Sequence, residues 1–202
     1  PRAIIRCVDS ADVMAAVAAG RDGGFDLAIR GGGHSVPGFG TVDDGLVIDL
    51  SAMNRVRVDP DKKVAHVGGG ATWGDVDHAT YPFGLAAAGG VVSTTGVGGL
   101  TLGGGIGYLT RGVGLSIDNL LSADVVIADG RQVTALRRAP AVELDRQQGQ
   151  LCLRAIRQRH VAEAAARGEA RVDARDFCDL VRVLDAFDRL DHQDEHDVVV
   201  DG

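Results

Sequence analysis

Glycine is gathered in this chain rather than spread: 26 of its 29 glycines lie between Gly20 and Gly130. Glycine loses more backbone entropy on folding than any other residue, and it brings no side chain to a core. A chain that concentrates it this strongly uses bare backbone as a working surface, in loops that come close to something. Two runs dominate, Gly31-Gly32-Gly33 and the tract from Gly96 to Gly107.

The stretches between the runs are short and apolar. Ile4 to Val8 reads as a strand, and Ser10 then caps a helix that Gly20 closes, with Val13, Ala16 and Val17 as its apolar stripe. Leu27-Ala28-Ile29 is a buried strand that runs straight into Arg30-Gly31-Gly32-Gly33-His34-Ser35. Leu46 to Leu50 is another strand, and Val56–Val58 with Val64–Val67 form a hairpin around Asp59-Pro60-Asp61. Thr72 opens a helix through Thr80 with Trp73 and Val76 facing inward. Ala123–Ala128 and Gln132–Thr134 flank an Asp129-Gly130 turn. The expected fold class is α+β, a mixed α/β domain of short strands.

Past Thr134 the composition changes. Three glycines remain, and Ala, Arg, Gln and Asp take over. Residues 141–167 and 177–190 read as helices. The expected organisation is a domain over 1–135 and a helical or poorly ordered tail over 136–202.

Bulk properties narrow the class of function. A net charge of -7 argues against a nucleic-acid partner, which would favour a basic face. No apolar run is long enough for a membrane span, so no membrane partner is expected. Cys7, Cys152 and Cys178 are odd in number and lack metal or redox spacing. They read as buried or free thiols of a reducing compartment, which together with the lack of a charged-then-apolar leader makes a cytoplasmic location the expectation. The chain does not begin with Met, so a preceding segment is expected.

The first glycine run has the makings of an anion site. Consecutive glycines let backbone amides converge on one point, and Arg30 and the Ser35 hydroxyl add donors suited to phosphate. A tight loop with an incidental histidine would leave the same local signature. The second tract matches neither GxGxxG nor GxxxxGK[ST], so the usual dinucleotide and triphosphate loops are absent. A diphosphate could still be gripped by its amides, and a close-packed hinge is the alternative. His192 and His196 are spaced as helical metal ligands can be, but no third ligand or HExxH accompanies them, and no metal is expected. His66 and His78 read as structural or surface histidines, and Tyr108 as a packing residue rather than a ligand contact.

Taken together, the two tracts become specific. RGGGHS at 30–35, GLVIDLSAMNRVRVD at 45–59, VGGGATWGDVD at 67–77 and the long stretch from Phe83 to Gly130 resemble the FAD-binding domain of the p-cresol methylhydroxylase and vanillyl-alcohol oxidase type. The nearest branch is similar to the bacterial relatives of berberine bridge enzyme. The resemblance implies two small α/β subdomains holding FAD. It implies that Arg30, Gly31, Gly32, Gly33 and Ser35 hold the diphosphate and that His34 bonds covalently to the 8α-methyl of the flavin. Val91 to Gly104, including Val92, Thr95, Gly96, Gly98, Gly99, Gly103 and Gly104, would line the ring, ribityl chain and diphosphate through main-chain contacts. Val126 would lie on the adenine side. Doubly linked members carry Cys four residues before the GVGG element, where this chain has Val92, so a single link through His34 is implied.

In complete relatives a substrate domain brings an organic substrate against the flavin, which takes a hydride at N5. The family's Asn-Pro-Asp-Leu-Phe-Trp-like and Gly-Asn-Phe-Gly-like stretches do not appear after Thr134. The expectation is therefore a tail outside the family pattern, from a shifted reading frame or a natural short variant. A small organic substrate is expected only where a substrate domain is supplied, and no catalytic residue is assigned. The rival readings are a remnant that binds FAD weakly or not at all, and a binder of another nucleotide diphosphate on the same scaffold.

Overall fold

The computed structural model describes residues 1–136 and 150–157, all within one compact unit, Pro1–Arg171. Two sheets organise it, matching the expected pair of α/β parts.

The smaller sheet is parallel. Strands β1 (Ala3–Arg6), β2 (Leu27–Arg30) and β3 (Leu46–Asp49) lie in the order β1-β3-β2, with helix α1 (Ser10–Gly23) crossing between the first two. Parallel strands need such a crossover because no tight turn can join them. Ala16 and Val17 of α1 pack on Cys7 and Ile48 to make a small core. The helix differs from expectation at both ends. Asp9 is its cap, accepting the Asp12 N–H at 3.0 Å, and the helix continues past Gly20 to end at Gly24 with φ 63°. Gly20 lies inside the helix, where its missing Cβ leaves room for the Leu27 side chain.

The larger sheet is antiparallel. It contains β4 (Val56–Asp59), β5 (Val64–Gly68), β6 (Leu85–Ala87), β7 (Leu120–Val126), β8 (Gln132–Leu136) and β9 (Gln150–Arg157). The order is β4-β5-β9-β7-β8, and β6 also pairs with β9. Helix α2 (Trp73–Thr80) covers it. Asp75 starts α2 by accepting both the N–H and the hydroxyl of Thr72, each at 2.8 Å. Trp73 and Val76 then bury among Ala65, Val67, Val97, Leu120, Leu151 and Leu153.

Strand β9 corrects the helix expected over 141–167. Residues 150–157 sit between β5 and β7, with Val67 opposite Leu151 and Ala65 opposite Leu153. A boundary at residue 136 would cut this strand from the sheet it completes. Leu, Gln, Arg and Ala favour a helix locally, but two open sheet edges offer a full set of backbone partners and override that weak preference. Leu151 and Leu153 bury on one face at the strand period of two. The helix expected over 177–190, together with His192 and His196, lies outside the described residues.

Two short helices, α3 (Val97–Leu102) and α4 (Thr110–Val113), complete the unit. No helix among the described residues is long and apolar enough to cross a membrane.

Candidate functional site

The first glycine run leaves β2 where Arg30 ends it. Arg30 is held by Asp49, at the end of the neighbouring β3, with Nη1 to Oδ1 at 3.3 Å. Burial pushes the Asp49 carboxyl up, but donation from the N–H and hydroxyl of Ser51 and from Arg30 outweighs it and carries the group below the usual carboxylate range. The guanidinium is therefore tethered on one side, and its remaining donors lie beside Gly33.

The second tract is pinned to the start of α2. The N–H groups of Trp73 and Gly74 donate to the carbonyls of Thr95 and Ser93 at 3.0 and 2.8 Å, and Val97 N–H donates to Ala71 at 2.9 Å. These bonds press Gly96 against Gly32. A Cβ on either residue would run into the backbone of the other, so both positions demand glycine. A third run, Gly68-Gly69-Gly70, joins them: a Cβ on Gly31 or on Gly98 would each stand 3.5 Å from the Gly69 carbonyl. This run was not among the expected site residues, although VGGGATWGDVD carries it. Its glycines also let Leu50 and Met53 carbonyls approach without clash.

Where the tracts meet, a cleft of about 390 Å³ opens. Of the expected residues, Arg30, Gly31, Gly32, Gly33, His34, Ser35, Thr95, Gly96 and Gly99 line it, as does Leu100 from the expected stretch, and Ile29, Phe39 and Gly40 add walls that were not expected. The other expected residues do not line it. Val92 is half exposed in the turn that Thr95 N–H closes, Gly98 backs onto Gly69, and Gly104 belongs to the turn after α3. Gly103 caps that helix. Val126 packs against the small core under α1. Tyr108 is not a packing residue as expected, being 82% exposed.

His34 stands in the cleft wall with both ring nitrogens facing hydroxyls. Nε2 is 2.8 Å from Thr94 Oγ1, and Nδ1 is 3.5 Å from Thr95 Oγ1. Ser35 Oγ accepts the Phe39 N–H at 3.1 Å, which turns the chain away after the run. None of the amides from Gly31 to Ser35 donates to a backbone carbonyl among the described residues. Bare glycine backbone, free amides, an arginine and a cleft in the size range of ligand sites together fit a nucleotide diphosphate.

Such an arrangement defines a class of protein that binds a nucleotide diphosphate, and the comparisons say which nucleotide. A family model described as FAD binding domain matches residues 1–136, and the chain belongs to that family. (R)-6-hydroxynicotine oxidase of Paenarthrobacter nicotinovorans is 41% identical over 130 residues, covering 64% of this chain and 28% of that protein. An FAD-linked oxidoreductase of Aspergillus fumigatus is 42% identical over 147 residues, 72% of this chain and 31% of the relative. The chain thus spans less than a third of the length of these curated relatives.

Solved structures show the same fold. 6-Hydroxy-D-nicotine oxidase from Arthrobacter nicotinovorans superposes with a TM-score of 0.70 at 33% identity, over 76% of this chain and 36% of that one. Glucooligosaccharide oxidase from Acremonium strictum, whose FAD is 6-S-cysteinyl and 8α-N1-histidyl, gives 0.62 at 38% identity over 66% and 28%. The fold is of the p-cresol methylhydroxylase type, and its cofactor is FAD.

Proposed function

We propose that this chain is the cofactor-holding part of an FAD-dependent oxidoreductase, with the flavin attached covalently through His34. The observation that carries this reading is the meeting of the glycine tracts at Gly32 and Gly96, with His34 beside them in one cleft. Amides from Gly31 to Ser35 and the free donors of Arg30 would take the diphosphate, and Thr95, Gly96 and Gly99 would line its continuation. Val92, in the position where doubly linked relatives carry Cys, offers no second attachment. Support for the covalent part is the histidyl link named for the Acremonium oxidase.

When bound, FAD supplies a two-electron acceptor for a hydride from an organic substrate. The residues described here bind and orient it. Substrate-side groups, the substrate itself and the final electron acceptor would come from outside this set.

The test is a visible spectrum of the purified chain combined with intact mass measurement. The expected result is a flavin band that survives acid denaturation, together with a mass increase of one FAD that His34→Ala abolishes. Flavin released entirely on denaturation would remove the covalent link while leaving FAD binding in place. Stronger competition by another nucleotide diphosphate than by FAD would overturn the cofactor assignment for this cleft.

A further inference from the structure

We propose that Thr94 is a positioning residue for His34: its hydroxyl accepts the Nε2–H, fixes the ring, and leaves the Nδ1 lone pair to bond to the flavin. This rests on the covalent reading above.

A neutral imidazole carries one N–H and one lone pair, and only the nitrogen with the lone pair is a nucleophile. The partner of one nitrogen therefore decides the chemistry of the other, as it does for histidines in metal sites and triads. Here the two nitrogens are held unequally. Thr94 Oγ1 lies 2.8 Å from Nε2, an ordinary hydrogen-bond length, whereas Thr95 Oγ1 lies 3.5 Å from Nδ1, at the outer limit. Nε2, with a hydroxyl at 2.8 Å, is engaged as the N–H donor, and Nδ1, met only at 3.5 Å, keeps its lone pair for the bond to carbon. Thr94 reaches His34 from 60 residues away, and the Trp73, Gly74 and Val97 hydrogen bonds fix the turn that carries it.

The Nδ1–C8α bond forms with the imidazole lone pair while a methyl C–H bond breaks and its proton leaves to solvent. The electron pair passes into the ring system and then to an external two-electron acceptor, dioxygen. The alkylated imidazole is cationic while Nε2 keeps its proton, and the Thr94 oxygen stabilises that charge by accepting from it.

The test uses the full chain and its Thr94→Val and Thr94→Ser variants. Flavin that resists denaturation is followed in time after FAD is added, and ¹⁵N NMR reads the His34 tautomer before addition. The wild type should show the proton on Nε2. T94V should bind FAD but attach it about tenfold more slowly, the worth of one neutral hydrogen bond, and should show mixed tautomers. T94S should restore both. Attachment in T94V at the wild-type rate overturns the role of Thr94 and leaves the covalent reading intact. Absence of attachment in the wild type overturns the covalent reading, and the role of Thr94 in attachment with it. If T94V does not fold, the wild-type tautomer decides: a proton on Nδ1 sinks the proposal.

Discussion

Gly32 and Gly96 lie backbone against backbone, and neither has room for a Cβ. This contact joins the loop after the parallel sheet to the turn before α3. It sets the width of the cleft that His34 borders.

Gly96→Ala should therefore destabilise the fold by about 1–3 kcal/mol, the usual cost of forcing atoms into packed space. Its clash is with main chain, which cannot rotate aside. Gly40→Ala, at a position with open space and no positive φ, should leave thermal unfolding unchanged. Equal melting temperatures for the two variants would contradict the close approach.

Gly99 separates binding from stability. It lines the cleft, and a Cβ there meets nothing within 4 Å. Gly99→Ala should keep the wild-type melting temperature and weaken FAD binding, measured by flavin fluorescence titration. Unchanged affinity would show that the cofactor does not pass this wall.

Asp49 ties β3 to Arg30 and Ser51, and its ionised form is favoured by the fold. Because its folded pKa is lowered, its contribution to stability is complete above the ordinary carboxylate value and is lost as pH falls through the folded value. Asp49→Asn should cost about 1 kcal/mol at neutral pH, since the arginine side chain is 45% exposed and water screens the pair. Urea denaturation at several pH values should show that difference shrinking in acid.

Leu153 tests β9. It is 1% exposed in the larger core, so Leu153→Ala should cost about 2–5 kcal/mol. A loss within a few tenths of a kcal/mol would mean that residues 150–157 are not part of the sheet. The same urea measurement reads it.

Cys7 is fully buried, and burial followed by the charges of Asp12, Asp49 and Asp9 raises its thiol above the ordinary value of 9.0. The thiolate is the reactive form, so the native chain at neutral pH should leave Cys7 unlabelled by iodoacetamide. Peptide mapping should find it labelled only after denaturant is added.

Much of this was legible in the chain itself, because glycine placement and apolar alternation are local properties. The three-glycine run after Leu27–Ile29, the hairpin at Asp59-Pro60-Asp61 and the helix behind Thr72 all form where their residues point. The families of motif around them gave the cofactor. Other features depend on partners far along the chain. Val126 packs against the small core under α1, and Tyr108 faces solvent, because neighbours outside their own segments decide both. Residues 150–157 carry mixed local preferences, and only the two unpaired edges of β5 and β7 make them a strand. The sequence determined which backbone was bare enough to meet a ligand. Tertiary structure decided which bare stretches met one another and which hydroxyl faces His34, since those contacts join residues that no local rule relates.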